Sequence, residues 1–298
     1  MVANPTLVVL LAAFVAVTWG FSPILEKRGL SSGGAPIQAA LVFVAVSTGL
    51  YWTVLLALDG GSVLEGVGLW SVAVFGVAGV IGTAVGRIFL FEGVGRVGAS
   101  VSGACVSTRP VFSAALAWVW LGEALGAFQL AGICVLVLGL SVVSLSEGGD
   151  TSGWEASDLV YPIVAASLFG AGFVLRRFGL LKTGMSPLKA VAINETAALV
   201  ALAAFVIVRG DPSTLRRRKR SYAYFTLGGV AVAAGLLAFF GALSLPEGRV
   251  AAVDPIAATA PLFTVGFSYV LLEGVERVTR LLVVGVALTV VGAAVVAL

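Results

Sequence analysis

Apolar residues run in blocks of about twenty along the whole chain, broken by short polar interruptions. That block length is what an α-helix needs to cross ~30 Å of hydrocarbon. Ten blocks stand out, at about residues 5–24, 36–58, 68–91, 97–121, 125–145, 158–176, 187–208, 222–245, 250–272 and 277–298. Connections are short and often contain glycine or proline, as in "SSGGAP", "DGGS" and "GDPS". The first block has no basic residue before it and no small-residue cleavage site after it, so it reads as a retained span rather than a signal peptide. The longest polar gap near the middle is "SEGGDTSGWEASD", residues 146–158.

The two halves resemble each other. "WGFSPILEKRG" at 19–29 aligns with "FGAGFVLRRFG" at 169–179, an offset of 150, and "APIQAA" at 35–40 with "SPLKAV" at 186–191, an offset of 151. At an offset of 153, Arg96, Glu123, Gly132 and Gly139 fall on Arg249, Glu276, Gly285 and Gly292. An ordered set with a slowly drifting offset is not a chance product of biased composition. The expected organisation is a first five-helix unit over 1–146, a linker at 147–157 and a second unit over 158–298. A unit with an odd number of crossings starts its second copy from the opposite side of the membrane. The expected fold is therefore an all-α integral membrane protein of ten transmembrane helices, arranged as two inverted five-helix repeats, the design of many secondary transporters.

Composition agrees. Hydrophobic residues make up 59% of the 298 and charged residues only 11%, against roughly 25% charged in a soluble domain. The net charge of +3 does not point to nucleic acid, because the bases fall mainly between apolar blocks, where they orient membrane proteins. There is no histidine, which excludes histidine metal sites, Ser-His-Asp hydrolysis and histidine proton relays. Cys105 and Cys134 lie at different depths of two adjacent blocks, so neither a disulfide nor a metal site is expected. No "GxxxxGKS" or other nucleotide motif occurs. The expectation is no catalytic residue, no metal and no cofactor.

Trp19 and Gly20 near the end of span one, a central proline in span four followed by "WLGE" (Pro110, Glu123), and "APLF" with Pro261 and Glu276 in the second half carry a family likeness. Together with the five-plus-five arrangement, they resemble the EamA-type branch of the drug/metabolite transporter superfamily over essentially the whole chain. The resemblance implies a carrier of small metabolites with a central cavity bounded mainly by spans 1, 3, 4, 6, 8 and 9. The sequence departs from the family pattern at Arg109, where such carriers usually have a small or polar residue, and in "LLEGVE".

The candidate site residues follow from depth and charge. Arg109 lies at about the midpoint of span four and Glu195 eight residues into span seven. A charge at the bilayer centre costs ~2.5–3.5 kcal/mol on insertion scales, so it faces the protein interior and has a partner or a task. A buried structural ion pair is the alternative for both. Arg109, Trp19, Gly20 and Arg87 are the substrate-binding candidates; Glu195 and Asp254 are the coupling candidates. Asp254 followed by Pro255 also reads as the N-cap of span nine. Pro23, Pro110 and Pro261 are the gating candidates, each freeing the carbonyl four residues earlier. Glu92 and Arg96, spaced i,i+4, read as a local surface pair, and Glu123 and Glu276 as structural carboxylates before helices.

The functional expectation is a secondary-active carrier, an exporter or exchanger, of a small organic metabolite with an anionic group. The alternatives are a channel or non-transporting receptor, or an integral membrane enzyme on lipid-linked substrates. Partners are a small solute and membrane lipid, with a homodimer left open, in the cytoplasmic membrane of a prokaryote. Two signals disagree on orientation. With cytoplasmic termini the inner loops and flanks hold five Lys/Arg (Arg176, Arg177, Lys182, Lys189, Arg249) and the outer ones eleven, including "RRRKR" at 216–220. The positive-inside rule prefers the reverse.

Overall fold

A computed structural model describes residues 4–146, 154–209, 219–271 and 280–297, and among these every regular element is helical. The first half contains α1 (Pro5–Ser31), α2 (Pro36–Asp59), α3 (Leu69–Gly79), a π-helical turn (Val80–Val85), α4 (Gly86–Val97), α5 (Ala99–Val106), α6 (Arg109–Leu121) and α7 (Ala127–Ser146). The second contains α8 (Val160–Thr183), α9 (Pro187–Arg209), α10 (Lys219–Ser244), α11 (Val250–Ala257), α12 (Ala260–Leu271) and α13 (Arg280–Ala297). Eight helical segments are long and apolar enough to cross a membrane; α7 and α13 hold two shorter apolar helices, residues 127–143 and 280–296.

Cross-chain contacts sort the connections into two faces. On the face of the termini, Lys189 Nζ meets Asp59 Oδ2 at 3.1 Å and Arg177 donates to the carbonyls of Leu243, Leu245 and Pro246. On the opposite face Arg28 donates to the Leu271 carbonyl at 2.8 Å, Arg96 pairs with Glu92 and Asp158, and Ser221 donates to the Ser32 carbonyl. Exposed Trp70, Trp118 and Trp120 ring the terminus face, where amphipathic rings settle at the lipid–water boundary.

The inverted relation between the halves is visible in backbone contacts. A Cβ on Gly132 would come within 3.0 Å of the Gly292 carbonyl oxygen, and one on Gly139 within 2.9 Å of the Gly285 carbonyl oxygen. Gly132 and Gly139 are the repeat equivalents of Gly285 and Gly292, so this antiparallel α7–α13 seam pairs each glycine with its partner's equivalent, as a twofold requires. Small residues there let the backbones approach, which is what holds helices together in lipid.

Spans four and nine are each interrupted halfway. The proline-bearing positions predicted as kinks are complete breaks between α5 and α6, and between α11 and α12. Their hydrogen bonds match one for one at an offset of 151. Ser107 N–H reaches Gly103 O and Ala258 N–H reaches Asp254 O, at 2.9 and 2.8 Å. The Thr108 and Thr259 hydroxyls donate to the Cys105 and Ile256 carbonyls, at 2.6 and 2.7 Å. Pro110 and Pro261 then start the next half-helix, where a missing N–H costs nothing.

Two local readings are corrected. Span six does not end at 176: α8 runs on to Thr183, so Arg176 and Arg177 are buried within it. They no longer count among the loop charges of the terminus face. Asp254 is not an N-cap either. α11 begins at Val250, with Asp254 and Pro255 inside it, and its first amides are capped from outside: Val250 and Ala251 N–H donate to Glu123 at 3.0 and 3.2 Å. Glu123 thus serves a helix of the other repeat rather than the helix that follows it. Glu276 and residues 216–218 lie outside the described residues.

Candidate functional site

The two breaks lie side by side and bring one charge from each repeat together. Arg109, the first residue of α6, places Nε 2.9 Å and Nη2 2.7 Å from Oδ1 of Asp254 in α11. Ser113, one helical turn on, donates its hydroxyl to Oδ2 at 2.6 Å. The Asp254 side chain is fully buried and that of Arg109 is 14% exposed. Nε and Nη2 thus converge on the same oxygen, Oδ1, while Oδ2 is taken by Ser113. The fork therefore meets one carboxylate oxygen rather than two. An arginine that faces an acid at the midplane, in place of an open cavity, is what the cost of an unpaired charge in hydrocarbon demands.

The pair exists in one orientation only. The repeat equivalents of Arg109 and Asp254, at the offset of 151, are Ala260 and Gly103. The surrounding frame is conserved between halves: Gly170 of α8 packs on Phe112 and Ser113, and Gly20 of α1 on Phe263 and Thr264. Ser113 turns its hydroxyl to Asp254, whereas Thr264 turns its own to the Gly20 carbonyl at 2.9 Å. Each repeat thus contributes one charge, and neither charge is repeated at the equivalent position of the other half.

Aromatic rings form the adjoining wall. Phe173 of α8 lies 4.4 Å from Phe239 and 6.3 Å from Trp19, centroid to centroid. The Arg109 guanidinium carbon is 5.0 Å from the Phe173 centroid, within cation–π range. Trp19 contributes an orphan donor, since its buried Nε1 has no acceptor.

A second polar cluster borders the same ring. Arg176 is 5.1 Å from the Phe173 centroid, donates to Asn194 Oδ1 at 3.1 Å and to Thr83 Oγ1 at 2.7 Å. Glu195 accepts from Asn194 Nδ2 at 3.0 Å and from Thr83 at 3.4 Å, so it reaches Arg176 through these two residues. Glycines bring them together. Gly82 meets the Gly172 backbone and Gly79 packs directly on the Asn194 carbonyl, pressing the π-turn that carries Thr83 against α8 and α9. Short π-helical insertions of this kind are frequent at functional sites.

The remaining candidates sort by place. Gly20 is packing surface for α12. Arg87 is half-buried in α4, within electrostatic reach of Glu26 and Glu195. Pro23 is exposed on α1 without breaking it. Both cysteines are free, Cys105 half-buried and Cys134 exposed. Sequence reasoning missed Ser113, Phe173, Arg176, Thr83 and Asn194. Uncharged side chains carry no depth signal, and Arg176 was hidden by a span end placed seven residues early.

The half-helices differ in enclosure. α11 is buried along nearly its whole length, whereas residues 101–106 of α5 are half-exposed apart from Ser102, and Ser268 is the one buried residue of α12. α6 and α11 pack on each other, joined further by Arg249 on the Ala124 carbonyl at 3.2 Å; α5 and α12 make no comparable contact among the described residues.

The model of the EamA-like transporter family matches the chain twice, over residues 6–145 and 158–298. No curated protein matches the chain. Among solved structures, one described only as "Crystal structure of protein" superposes with a TM-score of 0.74 at 19% identity, covering 97% of each chain. At that identity the likeness shows the fold.

Proposed function

Because the chain belongs to the EamA-like transporter family, a branch of the drug/metabolite transporter superfamily, we propose that it is a secondary carrier of a small organic solute bearing an anionic group. The observation that carries this reading is the Arg109 fork at the junction of two broken helices, whose Nε and Nη2 share a single oxygen of Asp254 instead of matching two. A carboxylate or phosphate offers two oxygens in the geometry a guanidinium fork matches. Such a group would take Arg109 from Asp254, beside the Phe173, Phe239 and Trp19 wall. The released Asp254 cannot stay buried as a lone charge. It must be neutralised by a proton or by a cationic group on the same solute, which ties solute binding to a second species. Arg109 and Asp254 come from opposite repeats, so exchanging their partners loosens the contact that closes the terminus face. In this reading the access path lies between α5 and α12, toward the opposite face. In this reading that face is the cytoplasmic one, which the excess of loop charges on it supports.

Uptake of a panel of small carboxylates and organic phosphates into proteoliposomes, under imposed pH and solute gradients, tests the reading. Wild type should move at least one anionic solute. Arg109→Lys should weaken apparent affinity moderately, because charge remains without the fork, and Arg109→Ala should nearly abolish transport with the protein still folded. Normal transport by Arg109→Ala would make the arginine a structural partner of Asp254 and nothing more.

A further inference from the structure

Two charges of opposite sign stand unpaired inside the spans, on the side opposite the termini. Glu26 of α1 and Arg87 of α4 are both half-buried. They lie within electrostatic reach of each other. No ion pair joins them, and neither makes a hydrogen bond among the described residues. The other charges near Arg87 are Glu195 and Arg176, and these are already engaged through Thr83 and Asn194. A charge within a span that lacks a partner faces water rather than lipid.

Their helices flank the path between α5 and α12. α1 packs on α12, fixed by Gly20 against Phe263 and Thr264 and by Arg28 on the Leu271 carbonyl. α4 packs on α5, from which only Gly98 separates it. Glu26 follows Trp19 by seven residues, so it lies on the same face of α1, two turns nearer the opposite face. Arg87 follows Thr83 by four. Acid and base thus stand on the two sides of the path, beyond the aromatic wall.

The terminus face shows the closed arrangement. There α8 packs on α10, and Arg177 staples the two through the carbonyls of Leu243, Leu245 and Pro246. In the other repeat α1 takes the place of α8, α4 that of the end of α10, and Lys27, at the offset of 150, that of Arg177. α1 and α4 make no comparable contact among the described residues, and Lys27 is exposed.

We propose that Glu26 and Arg87 are the gate residues of this path and pair when the carrier closes toward the face opposite the termini, with Lys27 reaching the end of α4 as Arg177 reaches that of α10. In the open state water answers both charges. Closure expels that water, and either charge left alone would then be buried without a partner. Pro23 lies between Trp19 and Glu26 and removes one helical hydrogen bond, which gives the end of α1 a place to bend. The inference rests on the carrier reading and its open path, and not on the charge of the solute.

The test is pulsed electron double resonance on the full chain in nanodiscs, without solute. Spin labels go on Ser31→Cys and Gly95→Cys, both exposed positions, in a Cys105→Ser, Cys134→Ser background. The otherwise unaltered chain should show two distances, the shorter belonging to the closed gate. Glu26→Gln and Arg87→Gln should each cut the short-distance share about tenfold or more, because closure then strands one charge. The two together strand none and should bring most of that share back. A single distance in the unaltered chain, an undiminished short share in either variant, or a double variant no better than the singles overturns the proposal. Transport in proteoliposomes separates the two readings. A chain that moves no solute yet shows this pattern keeps the gate and loses the carrier, and transport without the short distance does the reverse.

Discussion

Arg109 and Arg176 both lie over the ring of Phe173, at 5.0 and 5.1 Å from its centroid. One ring from repeat two thus touches the cation of the Asp254 pair and the cation of the Glu195 cluster. Its negative face offsets part of the repulsion between them. Phe173→Leu keeps most of the volume and removes that face. The expected outcome in proteoliposome kinetics is a raised KM with protein still folded; an unchanged KM would reduce the ring to packing.

The Arg109–Asp254 pair can be reversed. Arg109→Asp or Asp254→Arg alone leaves like charges buried together, and each should cost several kcal/mol and most of the folded yield. The double exchange restores the pair across the same two half-helices. Thermal stability should recover substantially while transport does not, because the fork now points from α11. Recovery of both would mean that only the attraction matters.

Glu123 holds the first turn of α11 from the other repeat. Glu123→Ala removes a cap and a charge at a helix N-terminus, expected to cost about 1–2 kcal/mol. Glu123→Gln, which keeps one acceptor oxygen, should lose less. Melting of the detergent-solubilised variants, read by tryptophan fluorescence, ranks the three.

The α7–α13 seam should be intolerant of volume. A Cβ at Gly139 would strike the Thr289 backbone nitrogen and lie 2.9 Å from the Gly285 carbonyl oxygen. Gly139→Leu should destabilise by ~1–3 kcal/mol or more through overpacking. Gly126→Leu, where a Cβ would meet nothing nearer than Gln129 Oε1 at 3.9 Å, is the control and should leave melting nearly unchanged.

Enclosure predicts labelling. In a Cys134→Ser background, half-exposed Cys105 of α5 should react with a water-soluble thiol reagent. A cysteine placed at Ala251, fully buried in α11, should not. Reactivity in the opposite order would reverse the assignment of closed and open faces.

Block length alone determined that this chain lives in lipid, because only a helix satisfies its own backbone there. The ordered set of matches between the halves, Gly132 and Gly139 with Gly285 and Gly292 among them, was enough to read the repeat, since a glycine seam needs its spacing kept in both copies. Depth marked Arg109, Asp254 and Glu195 as residues needing partners, because a charge in hydrocarbon is expensive wherever the chain goes next. The partners themselves were not legible. Arg109 meets Asp254 across 145 positions of sequence, and Thr83 meets Arg176 across 93, contacts that arise only when two half-helices from opposite repeats converge. The extension of α8 past residue 176 was hidden for the same reason. Two arginines look like a helix end until the carbonyls of Leu243, Leu245 and Pro246, and the Asn194 and Thr83 side chains, arrive from elsewhere to satisfy them. Hydrophobicity is a property of each segment and can be read locally, whereas the pairing of buried polar groups belongs to the packed whole.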